Sequence, residues 1–168
     1  MDKAELIHES AQSGILLTPE GYKALQEELE HLTAVKRPEI ADRIRESQQH
    51  GEFSEDNSEL DEVKMDQAMV ESRIAELKTV FGNAHVLEDS MIPTDYVGLG
   101  SLATVEDLDY NDSFEVRIVM SIEANPENDL ISNESPMGQA LYGRKKGETI
   151  TFDTPDGKKR LKLLGIRR

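Results

Sequence analysis

Residues 60–81 repeat an apolar side chain at alternating spacings of three and four: Leu60, Val63, Gln67, Val70, Ile74, Leu77 and Phe81, with only Gln67 breaking the stripe. A stripe of this kind follows one edge of a helix for three heptads and must be covered by a second helix. That partner is written upstream. Leu17-Thr18-Pro19-Glu20 starts a helix, with Thr18 as N-cap, Pro19 in the first helical position and Glu20 where the helix dipole favours negative charge. Tyr22, Leu25, Leu29 and Leu32 then recur on one face, and Ile40 and Ile44 resume it beyond Pro38. Pro38 removes a backbone donor and crowds the preceding turn, so a kink or loosening is expected there. Gly51 suits the end of the first long helix and Gly82-Asn83 the end of the second. Two such helices joined by a short turn pack antiparallel, and at ~1.5 Å per residue each arm reaches roughly 35–45 Å.

The turn of this hairpin reads His50-Gly51-Glu52-Phe53-Ser54-Glu55-Asp56-Asn57-Ser58-Glu59. No core requires so many carboxylates at a rod tip, and their hard oxygens are the ligands that Mg2+ accepts. A purely structural reading stands beside this one. If Ser54 caps the second helix, Glu55 and Asp56 fall in its first turn, where the dipole favours them. Glu52 lies outside the helix and escapes that explanation. Phe53 keeps a spacing of seven with Leu60 and is read as the end of the apolar seam, while His50 complements a helix C-terminus.

Charge is divided unevenly over the 168 residues: net −12 in 1–90 and net −3 in 91–168. An acidic chain is a poor ligand for free duplex DNA, whose affinity comes from neutralising phosphates. A basic protein surface or a bound cation is the expected partner. With no cysteine, disulfides, thiolate metal sites and cysteine nucleophiles are excluded. The polar first residues lack the pattern of a signal peptide, and no stretch approaches the ~20 apolar residues of a membrane span, so cytoplasmic residence is expected.

The helical period ends near Ser90, and 91–101, with Pro93, Gly98 and Gly100, is read as a linker. Beyond it Phe114, Val116, Ile118, Met120 and Ile122 alternate with more polar neighbours as in a half-buried strand. Thr149–Phe152 and Lys158–Ile166 read as a hairpin across Pro155-Asp156-Gly157, and Ser135-Pro136 opens a short helix ending near Gly143. The organisation expected is therefore α+β: an arm over 1–16, a coiled-coil hairpin over 17–90 with its acidic tip at 51–59, a linker over 91–101, and an α+β domain over 102–168.

Several of these segments, taken in order, resemble the Gre family of bacterial transcript-cleavage factors. The family's LTxxGxxxLxxEL stands here as Leu17 to Leu29, its RPEI as Arg37-Pro38-Glu39-Ile40, and its ISxxSPxGxALxG as Ile131 to Gly143, followed by Thr154-Pro155-Asp156-Gly157. The resemblance implies an FKBP-like C-terminal domain and a monomer whose partner is bacterial RNA polymerase. The domain would dock through Glu134, Ser135 and Pro136 at the rim of the secondary channel. The rod would enter that channel and bring tip carboxylates to the nascent RNA 3′ end. The family's GDLxENAEY corresponds to Gly51–Leu60, with Glu52 in place of its Asp and one additional residue, so the second carboxylate is Glu55 or Asp56. By this resemblance Glu52 with Glu55 or Asp56 would hold Mg2+ inside the polymerase active centre and stimulate hydrolysis of backtracked RNA, the factor turning over nothing alone. A channel occupant that modulates polymerase without cleavage is the alternative. Lys36, Arg37, Arg43, Arg45 and Lys64 are partners of nearby acids on the plain reading, and an RNA-facing basic patch on the family reading.

Overall fold

The computed structural model describes residues 14–51 and 58–168, apart from the side chains of His50 and Gly51. Glu52, Glu55 and Asp56 lie outside the described residues. The chain divides into two compact units: Lys23–Asn83, and the segment up to Tyr22 together with Ala84–Arg168. That division differs from the boundaries expected at 16/17 and 90/91.

In the helical unit, α1 (Pro19–His31) and α2 (Arg37–Gly51) are separated by one π-helical turn at Leu32–Lys36, and α3 spans Ser58–Phe81. Thr18 caps α1 as its sequence predicts, its Oγ1 accepting the Gly21 N–H at 3.1 Å. The expected disturbance before Pro38 takes a definite form: the Arg37 N–H reaches back five residues to the Leu32 carbonyl. This wider turn does more than accommodate the proline. Inward positions run Leu25, Leu29 and Leu32 before it, and Ile40, Ile44 and Ser47 after it. Heptad counting from Leu32 would turn 36, 39, 43 and 46 inward, yet Lys36, Glu39, Arg43 and Glu46 are exposed. The seam has slipped by one residue, and a π turn absorbs one extra residue.

The covering face of α3 follows the sequence stripe: Val63, Ile74 and Leu77 are buried, Leu60, Val70 and Phe81 half-buried, and Gln67 exposed. Flanking positions Asp66, Arg73 and Glu71 carry ions that cross to the other arm. Arg43 meets Asp66 at 3.0 Å, Arg37 meets Glu71 at 2.7 Å, and Arg73 meets Glu28 at 2.7 Å. Residue numbers rise along one arm as they fall along the other, which fixes the pairing as antiparallel. α3 stops where expected, the Gly82 N–H closing on the Lys78 carbonyl at 3.1 Å.

The second unit begins with β1 (Ile15–Leu17), which pairs in parallel with β2 (Ala84–Val86). Ile15 and Leu16, expected in the arm, therefore belong to a ladder; Leu17 is fully buried. A five-stranded sheet follows, made of β3 (Leu102–Asp107), β4 (Asp112–Val119), β5 (Leu130–Ser132), β6 (Thr149–Thr154) and β7 (Gly157–Arg167) in the order β5-β4-β3-β7-β6. Only β4–β5 is parallel. Its core joins Ala103 and Val105 of β3, Val116 and Ile118 of β4, Ile150 of β6, and Leu161 and Leu163 of β7 to Leu141 of α4 (Pro136–Leu141). A bulge in β7 opposite Thr104 and Val105 lets Ile166, out of phase with Leu163, turn back to the same core.

Two expectations change here. Segment 91–101 is no linker: Ile92, Val97 and Leu99 are buried, the first and last in a satellite cluster with Leu16 and Leu87. The strand expected through Ile122 ends at Val119, because Ser121–Glu123 makes a 3-10 turn. That turn delivers the Glu123 carboxylate to the start of α1. Its Oε2 accepts the Thr18 N–H at 3.0 Å, and Oε1 accepts from the Thr18 hydroxyl. A Cβ added at Gly21 would lie 2.2 Å from the Glu123 carboxyl carbon, so the position needs glycine for close approach.

Candidate functional surfaces

Along the rod, the basic residues singled out in the sequence are mostly engaged within the chain. Arg37 grips both oxygens of Glu71, at 2.7 and 2.8 Å. Hydrogen bonding by Arg37 holds the Glu71 carboxyl below the usual carboxylate range and raises Arg37 in return. Lys36 meets Glu39 at 3.3 Å, Arg43 meets Asp66, and Arg45 meets Asp42. Lys64 is exposed and forms no ion pair among the described residues. Arg73, unremarked in the sequence, is the most committed cation of the rod. It is bidentate to Glu28 and bonded to Glu76 at 2.8 Å, with its pKa raised chiefly by Glu28. Most cations of the rod are thus paired with acids of the same chain, and few are free.

On the second unit Glu134, Ser135 and Pro136 converge at the start of α4. Ser135 is the N-cap: its Oγ accepts the Gly138 N–H at 3.0 Å and donates to the Ser132 carbonyl at 2.7 Å. Pro136 occupies the first turn, where its missing N–H costs nothing. Gly138 lets the helix lie against β5, a Cβ there falling 1.9 Å from the Ser132 carbonyl oxygen. Beside this corner opens an apolar groove of about 300 Å³, walled by Ala124, Pro126, Ile131, Met137, Phe152 and Pro155. Asp153 is the one charged residue in its lining. Phe152 packs on the core and also faces this groove.

Sequence reading missed the support behind Glu134. The Ser121 hydroxyl donates to the Glu134 carboxylate and lies 2.8 Å from the Ser132 hydroxyl, which in turn accepts the Glu134 N–H at 3.1 Å. Ser121 sits in the turn after β4 and Ser132 in β5, so only the β4–β5 pairing brings them together. Elsewhere, the buried Asp107 is a structural staple. It accepts from Lys159 at 2.9 Å and from the Asp109 N–H at 2.9 Å, and Lys159 above all holds its carboxyl below the usual range. Among the described residues no group of three or more His, Asp or Glu side chains is arranged to hold a metal, and no helix is long and apolar enough to cross a membrane.

With both surfaces defined, similarity to known proteins is extensive. Residues 15–86 match the family described as transcription elongation factor, N-terminal, and residues 92–168 match transcription elongation factor, GreA/GreB, C-term. Transcription elongation factor GreA of Caldanaerobacter subterraneus subsp. tengcongensis is 48% identical over 154 residues, covering 92% of this chain and 98% of that relative. The protein of the same name from Clostridium kluyveri is 45% identical over 153 residues, covering 91% and 96%. Among solved structures, GreA factor homolog 1 of Thermus thermophilus is 31% identical, with a TM-score of 0.39 over 92% of this chain and 99% of that one.

Proposed function

The chain belongs to the GreA/GreB family of transcription elongation factors, and from that premise we propose that it acts on bacterial RNA polymerase by presenting the acidic segment between α2 and α3 to the polymerase active centre. One observation carries the reading. Ion pairs pin α2 and α3 antiparallel, and Glu52, Glu55 and Asp56 fall between them in sequence. Two helices pinned to one another are a stiff support for a segment that joins them.

Glu52 with Glu55 or Asp56 would hold a Mg2+ ion, whose preference for one or two carboxylates plus water suits this donor set. When bound, such an ion activates water and stabilises charge on a phosphodiester. The residues of this chain position carboxylate oxygens and accept or orient a proton, and the bond broken is in backtracked RNA held by polymerase. Lys64, exposed on α3 and outside the ion pairs among the described residues, would be the basic residue free to meet the RNA 3′ segment. Docking would use Glu134, Ser135 and Pro136, a rigid corner beside an apolar groove.

Stalled elongation complexes carrying labelled RNA test this. Added protein is expected to release short 3′ fragments in the presence of Mg2+, and Glu52→Ala to abolish that release while binding persists. An ~1 Å displacement of such a ligand already costs on the order of a hundredfold. Cleavage by Glu52→Ala equal to the parent overturns the metal assignment. Cleavage slowed by the parent protein points instead to a modulating channel occupant, a reading that Glu52 in the Asp position of the family motif keeps in view.

A further inference from the structure

Glu134 is exposed, and an exposed glutamate ordinarily samples many rotamers. Here it does not hang free. Its carboxylate takes a hydrogen bond from Ser121 and its backbone N–H is held by Ser132, while the two serine hydroxyls lie 2.8 Å apart. The three residues come from the turn after β4, the end of β5 and the loop into α4. They make an oriented carboxylate at the corner where the apolar groove begins.

The groove beside it has almost no polar surface of its own, and no Lys or Arg lines it. Asp153 is the one charged residue in its lining, and Glu134 stands next in sequence to the lining residue Ser135, so the charges the structure associates with the groove are acidic. Apolar walls with an acidic margin are complementary to a segment that offers an aliphatic or aromatic side chain with a cation next to it.

We infer that Ser121 and Ser132 are positioning residues for Glu134, and that the surface they complete selects a polymerase segment bearing a Lys or Arg beside an apolar side chain. This rests on the docking role given above to Glu134–Pro136. It adds two residues outside that motif and the chemistry of what they select. Ser121 acts by spending its hydrogen on a carboxylate oxygen, which fixes where the remaining lone pairs point. A fixed carboxylate loses less entropy on meeting a cation than a free one.

Affinity of the full chain for core RNA polymerase, measured as a double-mutant cycle, tests the inference. Ser121→Ala is expected to weaken binding about twofold to tenfold, the range for one hydrogen bond. Its thermal midpoint should stay that of the parent, and Ser121→Thr, which keeps the hydroxyl, should restore affinity. In a Glu134→Ala background, Ser121→Ala should have no further effect, because no carboxylate remains to be aimed. Binding of the parent should weaken as salt rises, with Glu134→Gln flattening that dependence. Additive losses in the cycle mean that Ser121 matters only structurally, and they overturn the inference. So does parent-like binding by Ser121→Ala while Glu134→Ala and Pro136→Ala bind poorly, an outcome that leaves the docking role standing. Parent-like binding by Glu134→Ala and Pro136→Ala removes the docking role and the inference together.

Discussion

The helical unit and the sheet unit solve the same problem in opposite ways. The sheet unit concentrates its apolar side chains: Ala103, Val105, Ile118, Leu141, Leu161 and Leu163 have no exposed surface and share one core. The rod spreads a thin seam over its length, with half-buried Leu60, Val70 and Phe81 between the few residues that are fully covered. Across the seam it relies on paired ions, Arg37 with Glu71, Arg43 with Asp66 and Arg73 with Glu28. An element two helices wide cannot enclose a core, so its order is set by register. A sheet curled around one helix can, and its order is set by packing.

That contrast is broken most directly in the sheet. Leu163→Ala should cost about 2–5 kcal/mol, the range for an enclosed leucine, and lower the thermal midpoint while the helical signal of the rod persists. If both signals fall together, the units are energetically one. Next in size is Glu123→Gln. The Thr18 N–H and hydroxyl meet different carboxylate oxygens, and an amide puts an NH2 in the place of one of them, so a loss of about 1–3 kcal/mol is expected in denaturant titration. In the rod, register should matter more than any single contact. Deleting Val35 together with Pro38→Ala removes the extra residue and the proline that the π turn absorbs, so circular dichroism and melting should match the parent. Deleting Ala41 instead throws Ile44 and Ser47 out of phase, and that variant should lose rod helicity. Smallest is Arg37→Gln, an exposed pair whose removal should produce a slight fall in midpoint that disappears in high salt. The sign with pH follows from Glu71. Its carboxyl is depressed in the fold, so the contribution is present above the unfolded carboxylate pKa and fades as pH falls through the folded one.

What the sequence disclosed follows the same divide. The seam of α3, the cap at Thr18, the disturbance before Pro38, the β6–β7 hairpin and the Ser135 cap were all legible, because each depends on residues a few positions apart. β3, the central strand, was not. Its inward positions after Ser101 are Ala103, Val105 and Asp107, and a small residue and a carboxylate hide the alternation. Pairing of β1 with β2 joins residues 15–17 to 84–86, which no local pattern announces, and the same is true of Glu123 at Thr18. Of the docking corner, Ser135 and Pro136 were visible as a helix start and Glu134 through its motif. Ser121 emerged only once the strand register was known.

The parallel ladder of Ile15–Leu17 with Ala84–Val86 fastens together the two places where the chain leaves and rejoins the globular unit. Residues 23–83 are in that sense a closed excursion, sewn shut at its seam allowance. Fraying of the finger must first undo that stitch before it reaches the cloth, and a differently tipped finger can be sewn into the same opening.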